Sequence, residues 1–185
     1  MGIPETENFI AMDEYIQGEQ LSDVRHEYIS GKVYAMAGGS EAHNVLSGNL
    51  YAAIRHHCSG KPCKVFMADM KLRLQVADDD IFYYPDLLVT CDPSDSEKYY
   101  KTQPVVLVEV LSPSTERLDR REKFLSYQRL PSLQEYVLVD QEKMLVTRFR
   151  KDNDWKPEHL AQGDSLTLPS IDFELSLTDI YEDAI

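Results

Sequence analysis

Three ionisable residues, Asp86, Glu109 and Lys123, carry the chemistry that this sequence suggests. Glu109 stands near the end of residues 105–112, Val-Val-Leu-Val-Glu-Val-Leu-Ser, between Pro104 and Pro113. So apolar and β-branched a run predicts a central strand covered on both faces. A charge in that setting is costly unless it is paired or bound to a cation. Asp86 follows Pro85 at the start of a second predicted strand, residues 83–91. The link of residues 92–103 is polar and long enough for a wide antiparallel turn, so neighbouring strands would set Asp86 beside Glu109. Two adjacent carboxylates repel, and a divalent cation with oxygen ligands resolves that repulsion. Downstream, residues 112–115 break the strand. Asp119 and Glu122 then have capping-box spacing, which predicts a helix from Asp119 to about Leu130, stopped by Pro131. Lys123 lies one turn inside that helix, within reach of the carboxylates.

Each residue also has an ordinary structural reading. Asp86 fits a turn-capping acid, Glu109 a buried ion pair with Lys123 or an arginine, and Lys123 a solvated partner of Asp119 at i, i+4. Their conjunction is what favours a site. Glu27 is either a further acid near the metal or an edge-strand acid paired with Arg25. His43 reads more simply as a capping or surface histidine, and the role of Asp69 is open.

The elements that must position these residues follow from periodicity and punctuation. Residues 13–19 have helical character. Residues 25–36 read as a hairpin turning at Ser30-Gly31. Ser40 is a credible N-cap for a helix over residues 41–57, whose Val45, Leu46, Leu50 and Ile54 share one face. Residues 64–76 alternate apolar and polar as one long strand. Residues 135–140 and 144–150 form a second hairpin across residues 141–143. Residues 155–160 add a strand, residues 164–175 an edge segment, and residues 177–181 a short helix. The core order is helix, strand, strand, strand, helix, strand, a mixed α/β arrangement with helices against a central sheet.

At 185 residues the chain has the length of one domain with a sizeable core. No apolar run is long enough to span a bilayer, and no secretory signal is visible. Cys58, Cys63 and Cys91 fit no zinc spacing, so reduced cytosolic thiols are expected. The net charge of −13 argues against a broad basic surface for polyanions.

The chain resembles the PD-(D/E)XK nuclease superfamily, and within it the Uma-two endonuclease-like family. The resemblance rests on Arg25-His26-Glu27-Tyr28 with Gly31, Ala42-His43-Asn44, and Asp69 with Lys71 and Arg73. It continues through Tyr84-Pro85-Asp86 and residues 109–115 to Asp119, Lys123, Tyr127 and Glu135-Tyr136. It implies an α/β (α+β), restriction-endonuclease-like αβββαβ core with a mixed central sheet. Residues 1–40 would be an N-terminal helix and hairpin, 41–140 the nuclease-like core, and 141–185 a C-terminal β extension. The superfamily pattern expects lysine two residues after Glu109, where this chain has Leu111; Lys123 would supply the amine instead. The implied chemistry is metal-assisted hydrolysis of DNA by a cytoplasmic, non-membrane protein, expected as a homodimer. Asp86, Glu109 and the Val110 carbonyl would hold Mg²⁺, or Mn²⁺, and Lys123 would orient or help deprotonate the attacking water. The charge keeps two alternatives open: a catalytically weak or inactive nuclease-fold interaction protein, and a hydrolase of a smaller phosphoester.

Overall fold

The computed structural model describes residues 9–77, 79–112 and 118–185. Expectations for residues 1–8, for the break at residues 113–115 and for the Asp119 side chain lie outside the described residues. Two sheets carry the fold. A six-stranded sheet has the order β11-β10-β9-β8-β6-β3, built from β3 (Lys64–Met67), β6 (Leu87–Thr90), β8 (Pro104–Leu111), β9 (Glu135–Asp140), β10 (Leu145–Arg150) and β11 (Pro157–Ala161). A five-stranded sheet has the order β2-β1-β5-β4-β7, from β1 (His26–Ile29), β2 (Lys32–Ala35), β4 (Lys71–Val76), β5 (Asp79–Tyr83) and β7 (Tyr100–Lys101). Helix α1 (Met12–Glu19) packs Tyr15 against Tyr28 and Phe82 of the smaller sheet.

β8 is the strand on which both faces depend. Val106, Val108 and Val110 pack with Leu46, Leu50 and Ile54 of α2 (Glu41–His57). Leu107 and Leu111 pack on the other face with Leu72, Leu74, Tyr127 and Tyr136. The continuous apolar run is thus explained by burial on two sides. β8 pairs antiparallel with β6 and parallel with β9. The β8-to-β9 crossover holds a π-helical turn, Leu118–Lys123, and a short α3 (Phe124–Tyr127). The core order α2, β3, β6, β8, α3, β9 is the expected αβββαβ, with the β4–β5 hairpin inserted after its first strand and β7 after its second. A two-stranded hairpin, β12 (Ser165–Leu168) and β13 (Phe173–Ser176), and α4 (Leu177–Ile180) complete the α2 side.

Local chemistry explains the elements that the sequence predicts well. Ser30 and Gly31 both have positive φ, 49° and 88°, as a tight two-residue hairpin turn requires. Ser40 Oγ accepts from His43 N–H at 3.1 Å and caps α2.

Three expectations are corrected. Residues 64–76 are not one strand: β3 joins the larger sheet and β4 the smaller, with Ala68 at a φ of 52° between them. Residues 83–91 also divide, β5 lying in one sheet and β6 in the other, with Tyr84-Pro85-Asp86 between. Alternation hides such a switch, because the two-residue period runs on whichever sheet the strand joins. Both crossings occur together, and Ala68 N–H donates to the Asp86 carbonyl at 3.1 Å.

The third correction concerns the thiols. Cys63 and Cys91 form a disulfide, and Cys58 is a buried free thiol. Lys64 pairs with Thr90, so the two cysteines face each other one step beyond that rung. With a sequence separation of 28, closing this loop is expected to stabilise the fold by about 3–4 kcal/mol. Urea unfolding with and without reductant measures this; identical midpoints would remove the bridge from the account. Among the described residues no helix is long and apolar enough to cross a membrane.

Candidate active site

Leu87 of β6 stands opposite Val108 of β8, so one further step along both strands sets Asp86 opposite Glu109. Asp86 Oδ2 accepts from Val110 N–H at 2.7 Å, which seats its carboxylate on the Glu109–Val110 peptide. A strand residue projects its N–H and C=O to the same side. The Val110 carbonyl therefore faces the same end of β6. The sheet crossing at Tyr84-Pro85-Asp86 brings this carboxylate to the junction of the two sheets, where its side chain is 21% exposed.

Glu109 is buried at 3% exposure, on the face of β8 that looks toward α3. Lys123 Nζ lies 3.3 Å from Glu109 Oε1 and 3.1 Å from Glu27 Oε1. Its ammonium also stands 5.5 Å from the centre of the Tyr83 ring, a favourable cation–π position. Burial pushes the Tyr83 hydroxyl up to about 12, so the ring beneath the ammonium stays neutral. The π-helical turn ends at Lys123, and such turns recur at functional sites.

Tyr127, four residues on, donates its hydroxyl to Glu109 Oε1 at 2.9 Å. Lys123 and Tyr127 thus approach one carboxylate oxygen from one helical face. Complete burial, then the nearby Glu109 charge, hold the Tyr127 phenol well above its ordinary value, so it donates throughout the working range. Tyr127→Phe is expected to cost about 1.5–3 kcal/mol, the scale of a hydrogen bond to a charged group. Thermal or urea unfolding checks this, and a loss below about 0.5 kcal/mol would contradict it.

The structure thus seats Asp86 on the Glu109–Val110 peptide and sets Lys123 between Glu109 and Glu27. Glu27 pairs with Lys123 rather than with Arg25. Arg25 Nε instead meets Asp69 Oδ1 at 3.0 Å, and Asp69 is 72% exposed in this surface pair. The residue that the sequence reading set aside is His43: its Nε2 lies 3.2 Å from Asp86 Oδ2. The signal was its place in the first turn of a capped helix, but its direction depends on how α2 packs on β6 and β8. Behind Asp86 a second network is buried. Tyr84 donates to Glu19 Oε2 at 2.6 Å, and His26 N–H donates to the same oxygen at 3.1 Å. Burial, then the Glu19 bond, raise the Tyr84 hydroxyl. This network fixes the segment that leads into Asp86. Among the described residues no three His, Cys, Asp or Glu side chains are grouped as a ready metal cage.

Residues 12–178 match the family model Uma2, described as "Putative restriction endonuclease". The chain belongs to the Uma2 family. Two Synechocystis sp. proteins, both described as uncharacterized, are similar over most of their length. One, slr1290, is 37% identical over 93% of this chain and 91% of its own. The other, sll1609, is 32% identical over 84% of this chain and 89% of its own. A crystal structure from Anabaena variabilis, described as "a putative nuclease belonging to DUF820", shares the fold. Its TM-score is 0.75 at 18% identity, covering 95% of this Uma2 chain and 99% of that one. The α+β architecture with mixed sheets is therefore that of a nuclease-like fold.

Proposed function

We propose that this Uma2 protein is a Mg²⁺-dependent endonuclease that hydrolyses DNA phosphodiester bonds at Asp86, Glu109 and Lys123. The observation that carries the reading is the convergence itself. Asp86 is seated on the Glu109–Val110 peptide, and Lys123 is on Glu109. Buried charge is tolerated only when well partnered. Here the partners come from two neighbouring strands and the following helix, a costly arrangement for stability alone.

The donor chemistry fits a hard divalent ion. Asp86 and Glu109 supply carboxylates and Val110 a carbonyl, leaving the remaining positions to water, which Mg²⁺ keeps readily. When bound, the ion would lower the pKa of a water and stabilise charge on the phosphate. The water oxygen bonds to phosphorus as one P–O ester bond breaks, giving a phosphomonoester and an alcohol. Lys123, held between two carboxylates as the ammonium, orients the attacking water or offsets charge in the transition state. Glu27 is a positioning residue: it holds the ammonium at 3.1 Å as a second carboxylate beside Glu109. The reading extends to a homodimer.

The net charge of −13 favours a compact substrate contact over a broad basic surface. A small phosphoester is therefore the second reading, and turnover of short phosphodiesters against DNA separates the two. The primary test pairs calorimetric Mg²⁺ and Mn²⁺ titration with a DNA-cleavage assay, on the wild type and on Glu109→Gln. The wild type is expected to bind the ion and cut, and the variant to lose both. A variant that binds Mn²⁺ as the parent does would refute the ligand assignment.

A further inference from the structure

Lys71 is a buried lysine that the chemistry above does not use. It opens β4 and is 7% exposed. Its neighbour Leu72 pairs with Tyr83 and packs with it toward Tyr127. Lys71 therefore points the other way, to the face of the smaller sheet that α1 covers. There its Nζ stands 5.3 Å from the centre of the Tyr84 ring. Among the described residues Nζ makes no hydrogen bond and no ion pair, and the ring is what it rests on. The fully enclosed polar side-chain atoms without a partner are Ser47 Oγ and Ser132 Oγ; Lys71 Nζ is not one of them, so it still reaches solvent. A lysine this far buried is ordinarily paired.

The acids around it are engaged elsewhere. Burial holds the Lys71 amine below its ordinary value, and the charges that act on it are Glu19, Arg25 and Asp69. Glu19 accepts from the Tyr84 hydroxyl and from His26 N–H, with His26 Nδ1 at 3.0 Å from its other oxygen. Asp69 is held by Arg25 Nε. Arg25 Nη1 reaches the Ser22 carbonyl at 3.4 Å, and Nη2 has no partner among the described residues. We propose that Lys71, with Arg25 beside it, forms a phosphate-binding subsite separate from Asp86, Glu109 and Lys123. An ammonium and a guanidinium with unspent N–H donors are the groups that recognise phosphate oxygens. The crossing that carries Asp69 is tied to the site, since Ala68 N–H donates to the Asp86 carbonyl. A nucleic-acid strand with one phosphate at Asp86 would lay a phosphate further along over this end of β4. A free phosphate ion is the other source of the same chemistry. This rests on the nucleic-acid reading above for the source of the phosphate, and not for the subsite itself.

The test is run in EDTA, so that no outcome depends on a divalent ion. NMR of the lysine ε-methylene signals follows the wild-type protein, and Lys71→Met identifies the Lys71 signal. Inorganic phosphate and a short single-stranded oligonucleotide are titrated separately. At least one of them is expected to shift the Lys71 signal more than those of the exposed Lys32 and Lys64. A shift with the oligonucleotide alone names the nucleic-acid backbone as the source, and a shift with inorganic phosphate alone names the free ion. Affinity for the probe that shifts the signal is expected to fall ~10-fold in Lys71→Met, and to fall in Arg25→Gln. For the oligonucleotide, Lys71→Met should also lower the slope of log affinity against log salt by about 1. Its Tm should stay level or rise, because no ion pair is broken, whereas a purely structural lysine would lose stability. A Lys71 signal that neither probe shifts, or undiminished affinity in Lys71→Met, overturns the subsite. Either result leaves the Asp86–Glu109 reading standing, and a protein that binds no metal leaves the subsite standing.

Discussion

Lys123→Met is expected to destabilise the protein by about 3–5 kcal/mol, the cost of removing one partner from a buried ion pair. The side chain is 5% exposed and sits within 3.3 Å of two carboxylates that are themselves 10% exposed or less. Methionine fills much of the same volume, so the loss reports charge rather than packing. For a chain of 185 residues this corresponds to a fall in Tm of roughly 10 °C. Two further results should accompany it. Adding Glu27→Gln should recover part of the loss, because one of the two stranded charges is then gone; the double-mutant cycle gives that coupling directly. A divalent ion should restore more stability to Lys123→Met than to the wild type, because the ion and the ammonium compensate the same acids. A loss below about 1 kcal/mol would place the three groups on a surface, where such pairs contribute little.

The second large effect is on catalysis. Asp86→Asn is expected to reduce DNA cleavage by about 10²–10³-fold or more, the scale of losing one electrostatic stabiliser of the transition state. Stability should change by less than about 1 kcal/mol, since the amide oxygen still accepts from Val110 N–H and the site is part-exposed. The pattern expected is a kcat that collapses with Tm nearly unchanged, opposite in emphasis to Lys123→Met. Unchanged cleavage with Asn at this position would remove Asp86 from the chemistry.

The parts of this fold that could be read in advance are those fixed by local physics. The apolar run around Glu109 reads as a doubly covered strand, and it is one. Ser30-Gly31 has the residues that a tight hairpin turn needs, and Ser40 before an amphipathic stretch marks the start of α2. That Lys123 reaches Glu109 follows from helical reach to a neighbouring strand, which is also short-range reasoning. What could not be read is what depends on partner choice. The switch between sheets near Ala68 and Tyr84 leaves the alternation of side chains intact. The Cys63–Cys91 bridge requires knowing that Lys64 faces Thr90. For Glu27 the sequence leaves open a place near the metal or a pairing with Arg25, whereas the tertiary fold delivers Lys123 to it from 96 positions away along the chain. His43 was set aside because its direction is decided by the docking of α2 on the larger sheet, and no spacing in the sequence carries that information.

The central claim is that Asp86 and Glu109 share one ion at the start of β6. Anomalous diffraction from crystals soaked in Mn²⁺ tests it most directly. The account predicts one anomalous peak within coordination distance of an Asp86 oxygen, a Glu109 oxygen and the Val110 carbonyl. Soaked crystals in which Mn²⁺ occupies other sites while this one stays empty would contradict it.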